Sequence, residues 1–274
     1  MSKTKVLIVT QEMSPYTIAS DISAIARKLP QHIQEQGMEI RILMPKFGNI
    51  NERRHRLHEV VRLSGMNIIV DDDDYPLIIK VASVQGARMQ VYFLDNEDFF
   101  KRKATFEDAD GNAFADNPDR MIFFCKGVIE TVKKFGWAPD IIHCHGWMTS
   151  LMPLYLKTAY KSEPLFQDSK IITSVYNSTV NNEFSDNFIT KASINDLEEE
   201  DLAAFKQGET ISLLNGATAY SDAIIVGSEG YSEKTVEDAK ADGKPVLDHQ
   251  SEETYLSAYV NFYNSLLEQE ETVS

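Results

Sequence analysis

The sequence predicts an α/β protein on a doubly wound, mostly parallel sheet, because β-branched apolar runs alternate with helical apolar spacing along most of the chain. One β-rich interruption adds a hairpin excursion to that alternation. At 274 residues, 43% hydrophobic and 25% charged, the chain is long enough for one large domain of this class.

The elements follow in order. Lys5 to Thr10 is a nearly continuous apolar run, as expected of a strand buried on both faces. From Ser20 to Gln36, Ile22, Ile25, Ala26, Leu29 and Ile33 recur at helical spacing, and Gly37 stops the pattern. "MEIRILMPKFG" is the next strand, giving a β-α-β unit with a right-handed crossover. Glu59 to Phe93 breaks the alternation with three strand-like runs, read as the excursion. Asp71 to Asp74 lie between two of these runs; they lack EF-hand ligand spacing and read as a hairpin turn.

After a polar loop from Arg102 to Asn117 comes an apolar-striped helix, "RMIFFCKGVIETVKKFG". "PDIIHCHGW" is a buried strand, "TSLMPLYLKTAYK" a helix and "KIITSVYN" a strand. Phe188 to Lys206 reads as a surface helical hairpin, and "GETISLLNGATAYSDAIIVGSEGYSEK" repeats helix, strand and turn. In such sheets ligands bind at the carboxyl edge of the strands. A polar connector, "ADGKPVLDHQ", leads to a last helix with Tyr255, Tyr259, Phe262 and Leu266 near helical spacing. Docking of that stripe onto the chain's own domain is favoured over binding a partner or sugar rings.

A net charge of −15 opposes contact with nucleic acid or anionic membrane. The start is too short in apolar residues for a signal peptide, and no run reaches membrane-spanning length, so a cytoplasmic protein is expected. Cys125 and Cys144 form neither a disulfide framework nor a zinc spacing and read as small buried hydrophobes.

Strand-end residues are the natural site positions. Alternation sends His143 and His145 to one side of their strand, and Gly146 lets a ligand approach the backbone. His145 is therefore a candidate pocket residue, with a core hydrogen-bonding histidine as the bland alternative. No third ligand of clear spacing accompanies the pair, so no metal is expected. Tyr176 and Asn177 suit hydroxyl groups, or simply a turn. Asp116, Asn117 and Arg120 precede a helix and could serve a site or merely cap it. No nucleophile elbow, P-loop or zincin helix is present, and no cofactor is implied.

Several stretches are similar, in order and spacing, to the amino-terminal domain of the bacterial glycogen synthase and plant starch synthase family, glycosyltransferase family 5. They are "KVLIVTQEMSPY", "LPQHIQEQGMEIRILMPKF", "VYFLDNEDFF", "DNPDRMIFF", "PDIIHCHGWMTSLMPLYL" and "LLNGATAYSDAIIVGSEGY". The resemblance implies a Rossmann-like domain, one half of a GT-B architecture, and α-1,4-glucosyl transfer from ADP-glucose to a glucan. It places the family's sugar-contacting histidine on His145 and an aspartate on Asp116. Trp147 and Arg120 are kept, Tyr176 and Asn177 stand for a His-Asn step, and Asn215 and Gly216 for a Lys-Gly step.

The family's donor loop, Lys-Thr-Gly-Gly, falls on Ile18, Ala19, Ser20 and Asp21, which removes one attraction for a diphosphate and adds one repulsion. The resemblance divides the chain into a synthase-like domain over 1–238, a connector over 239–250 and a helix over 251–274 that packs back, where family enzymes continue into a second domain. It implies a stand-alone chain, weak or inactive by itself, whose partners are α-glucan, ADP-glucose and a separate chain supplying that second domain. A non-catalytic glucan-binding or regulatory module of glycogen metabolism is the alternative.

Overall fold

A computed structural model describes residues 3–177, 184 and 186–271. Its sheet is built from β1 (Lys5–Thr10), β2 (Glu39–Pro45), β3 (Met66–Val70), β4 (Asp73–Ser83), β5 (Gln90–Asp95), β6 (Ile141–His145), β7 (Lys170–Val175), β8 (Ala223–Val226) and β9 (Val246–Leu247). The order is β9-β8-β7-β6-β1-β2-β5-β4. Every neighbouring pair from β9 to β5 is parallel. β4 runs antiparallel to β5, and β3 and His58–Glu59 run antiparallel to β4.

The apolar runs explain the centre of this sheet. Val6 to Val9 and Ile141, Ile142, Ile171 and Ile172 are buried, as strands covered on both faces require. The principal helices are α1 (Asp21–Glu35), α2 (Asn117–Phe135), α3 (Leu151–Lys157), α4 (Leu213–Tyr220), α5 (Glu233–Ala241) and α6 (Tyr255–Glu271). Ser20 caps α1 through a reciprocal box with Ser23, and Gly37 just beyond it takes a φ of 87° that favours glycine. α2 begins earlier than its apolar stripe, because Pro118 occupies the first helical turn, where its missing N–H costs nothing.

Four details differ from the reading of the sequence. The run ending at Asp95 is part of the main sheet, parallel to β2, and only β3 and β4 form the hairpin excursion. Asp71 and Asp72 make its two-residue turn, with Asp71 at a φ of 56°, while Asp73 and Asp74 already belong to β4. The stretch from Phe188 to Lys206 is not a surface hairpin, since Phe188, Ile189, Leu202 and Phe205 are buried. Within the expected connector, Val246 and Leu247 add a parallel edge strand to β8.

Candidate functional site

Strand order reverses between β1 and β6, and a doubly wound sheet opens a crevice there at its carboxyl edge. Here a side chain fills it. The Gln11 backbone N–H donates to the His145 carbonyl at 3.1 Å, and its side-chain oxygen accepts from the Met148 N–H at 3.2 Å. Gly146, at a φ of 89°, lets Gln11 lie so close that a Cβ would sit 2.3 Å from its amide carbon. Sequence reasoning passed over Gln11, because an amide after a strand carries no motif.

One strand further along, a cavity of about 400 Å³ opens beside β6, β7 and α4. Trp147, Ser150, Ser174, Tyr176, Asn177 and Tyr231 are among its walls. Tyr176 is placed by Gly227, where a Cβ would meet its ring at 2.4 Å, and the Asn177 backbone N–H donates to the Ser228 hydroxyl at 2.7 Å. The lining mixes aromatic faces, hydroxyls and an exposed amide, a set suited to an uncharged polyhydroxylated ligand.

His145 lies behind this wall. It is wholly buried, its Nδ1 shares a 2.7 Å hydrogen bond with the Tyr176 hydroxyl, and its Nε2 has no partner among the described residues. Its ring stands 3.9 Å from that of His143. His143 bonds the Tyr263 hydroxyl through Nδ1 at 2.6 Å and the Ser174 hydroxyl through Nε2 at 2.7 Å. Burial pushes the His145 pKa down to about 3, and burial with the His145 neighbour pushes that of His143 well below its ordinary value. Both imidazoles are therefore neutral, and among the described residues no cluster of three ligands could hold a metal ion.

The structure thus brings His145, Trp147, Tyr176 and Asn177 together. Asp116 and Arg120 stand in a neighbouring arrangement that secures the loop after β5. Arg120 is fully buried, donating to the Phe99 carbonyl at 2.8 Å, the Thr105 carbonyl at 2.7 Å and the Asn117 side chain at 2.8 Å. Burial, reinforced by Arg102, lowers its pKa to about 10, against the opposing pull of Asp116. Asp116 pairs with Arg102, and Phe106 of the same loop packs edge-on against Trp147. Gly216 does not reach the cavity. A Cβ there would sit 2.3 Å from the Phe205 ring, so this glycine admits that ring against α4.

Ile18 to Asp21 lie at the start of α1. Ile18 is 77% exposed, and Ala19 and Asp21 are exposed as well. The Ser20 hydroxyl receives the N–H of Ser23 and donates to the Glu12 carboxylate. A helix N-terminus attracts anions, and this one already has Glu12 on its cap and Asp21 in its first turn.

The terminal helix contributes Tyr263, which the spacing of its aromatic stripe did not single out. Tyr255, Tyr259, Tyr263 and Leu266 are the buried positions, whereas Phe262 is only half-buried. Burial also pushes the Cys144 thiol up to about 12 and that of Cys125 well above the ordinary value, which leaves both inert.

A family profile described as the starch synthase catalytic domain matches residues 5–248. The glycogen synthase of Chlorobium limicola is 37% identical over 235 residues, covering 85% of this chain and 47% of that protein. That of Pelodictyon phaeoclathratiforme is 35% identical over 253 residues, covering 90% and 51%. The catalytic domain of starch synthase IV from Arabidopsis thaliana, solved with ADP and acarbose bound, shares the fold at a TM-score of 0.72 and 18% identity, covering 90% of this chain and 51% of that one. The chain spans about half the length of the curated relatives it matches. With a profile match over most of its residues, the chain belongs to the starch synthase catalytic domain family.

Proposed function

We propose that this chain is a glycogen or starch synthase-type unit of α-glucan metabolism that takes glucan at the Trp147–Tyr176–Asn177 cavity and by itself leaves the ADP-glucose diphosphate unbound. The observation that carries this reading is the Glu12 carboxylate on the Ser20 cap, with Asp21 beside it. A diphosphate brought to that turn meets two carboxylates and an aliphatic side chain where the resemblance places a lysine and two glycines. A glucan carries no charge and is indifferent to them.

Glucosyl transfer requires preorganised positive groups where the diphosphate oxygens depart. His145 is neutral and, among the described residues, meets the cavity wall through the Tyr176 hydroxyl, so it serves as a hydrogen-bonding support. Cations for the leaving group then come from elsewhere, and a separate chain carrying a second domain is the source we favour. The unpaired, buried thiols suit a reducing cytoplasm.

Paired calorimetric titrations with maltoheptaose and ADP-glucose test the reading. Maltoheptaose is expected to bind, and to bind less tightly to Trp147→Ala, whereas ADP-glucose gives no heat of binding. Tight binding of ADP-glucose, or no binding of the glucan, would overturn it.

A further inference from the structure

At the amino-terminal edge of the sheet, opposite the strand ends that carry the cavity above, a second hollow of about 460 Å³ opens beside the starts of β2 and β5. Its walls hold three cations, Lys3, Arg41 and Arg88, against one carboxylate, Glu39. Glu39 is already engaged, accepting the Trp137 indole N–H at 3.1 Å. Among the described residues no carboxylate forms an ion pair with any of the three cations. On a chain of net charge −15, with carboxylates in excess, three cations gathered in one hollow, with Glu39 attracting Arg41 but making no ion-pair contact, are out of keeping with their surroundings.

Arg41 is held in place by aromatic rings. Its guanidinium carbon stands 4.0 Å from the Phe135 ring centre and 4.9 Å from that of Trp137. A guanidinium stacked in this way gives up little freedom on binding and offers its N–H edges in a fixed fork, the geometry that phosphate oxygens accept in pairs. Arg88 and Lys3 are exposed at the rim and add charge without having to be desolvated. The hollow lies in the size range of small-molecule sites, and the half-buried Tyr92 adds an aromatic ring to the wall beside the cations.

We propose that this hollow binds a phosphomonoester, its phosphate group held by Arg41 and Arg88 and its organic part resting against Tyr92. The site is separate from the glucan cavity, since the two lie at opposite edges of the same parallel sheet and beside different strands. It stands whether or not the cavity takes a glucan.

Calorimetric titration of the full chain at low salt, with glucose 6-phosphate, inorganic phosphate and glucose as probes, decides the matter. Glucose 6-phosphate is expected to bind, inorganic phosphate more weakly, and glucose not at all. Arg41→Gln and Arg88→Gln should each weaken binding about tenfold or more, the loss typical of a charge-assisted contact. Because Arg88 is exposed, its replacement leaves the core intact and keeps the test sound if Arg41→Gln lowers stability. Inorganic phosphate binding as tightly as the ester, and equally sensitive to Arg88→Gln, would support a phosphate site whose ligand is the free anion. Absence of binding by both phosphate compounds, insensitivity to Arg88→Gln, or equal binding of glucose would overturn the proposal.

Discussion

His145 owes its character to its position. The strand pattern puts it beside His143, but burial decides its chemistry, because an imidazolium there would be desolvated next to a second imidazole. The folded-state pKa values of both histidines lie below the ordinary 6.5. Below about pH 6.5 the unfolded chain therefore takes up protons that the folded chain refuses, and stability falls as pH drops from there toward about 3 for His145. Each histidine contributes at most about 1.4 kcal/mol of this loss per pH unit. NMR of the two imidazoles is expected to show neutral rings from pH 7.5 to 5, with a melting temperature that declines as pH falls below about 6.5. A ring that titrates near pH 6.5 would contradict the burial argument.

At the scale of elements, the terminal helix shows how a stripe read from spacing meets its actual neighbours. The Tyr263 hydroxyl satisfies His143 Nδ1, so Tyr263→Phe leaves a buried ring nitrogen without its partner. Denaturant unfolding should show a loss of about 1–3 kcal/mol, far more than removal of an exposed hydroxyl would cost. Helix α4 offers a second test. Gly216→Ala drives a Cβ into the Phe205 ring and is expected to destabilise the chain by about 1–3 kcal/mol, while maltoheptaose affinity changes little because Gly216 does not line the cavity.

These elements also mark how much could be read in advance. β1, α1, β6 and β7 were legible because two-sided burial and one-sided burial leave different apolar periods. The pairing of β5 with β2, the short strand β9 and the packing of Phe188 and Phe205 were not, since they depend on what lies across space and not on local period. Of the candidate cavity's walls, Tyr176 and Asn177 were legible as strand ends and Trp147 only through the resemblance, while Ser150 and Tyr231, like Gln11 in the crevice, went unread because single polar residues in turns look alike in sequence.

For the whole molecule the governing quantity is charge. A net −15 sets a field that repels an anionic donor sugar, and the first βα turn adds Glu12 and Asp21 to it locally. The double change Ile18→Lys with Asp21→Gly places a cation and removes an acid at that turn, where a charge-assisted contact is worth roughly 1.5–3 kcal/mol. ADP-glucose affinity should rise about tenfold or more at low ionic strength, and the gain should shrink toward 1 M salt, where charges are screened within about 3 Å. A gain that salt leaves untouched would show that shape, and not charge, governs the turn.

The sequence by itself determined the α/β class, the order of most elements along the chain, the excess of acidic residues and the likeness to the synthase family, because periodicity, composition and motif order are properties of a chain. Only the tertiary structure decided that Gln11 fills the crevice between β1 and β6 and that His145 sits behind Tyr176 instead of in the open. It also decided that Glu12 accepts the hydroxyl of Ser20 at the cap of α1, and that Arg41 lies stacked on aromatic rings at the far edge. Each of these rests on desolvation or on contact between residues distant along the chain, and neither is set by local sequence.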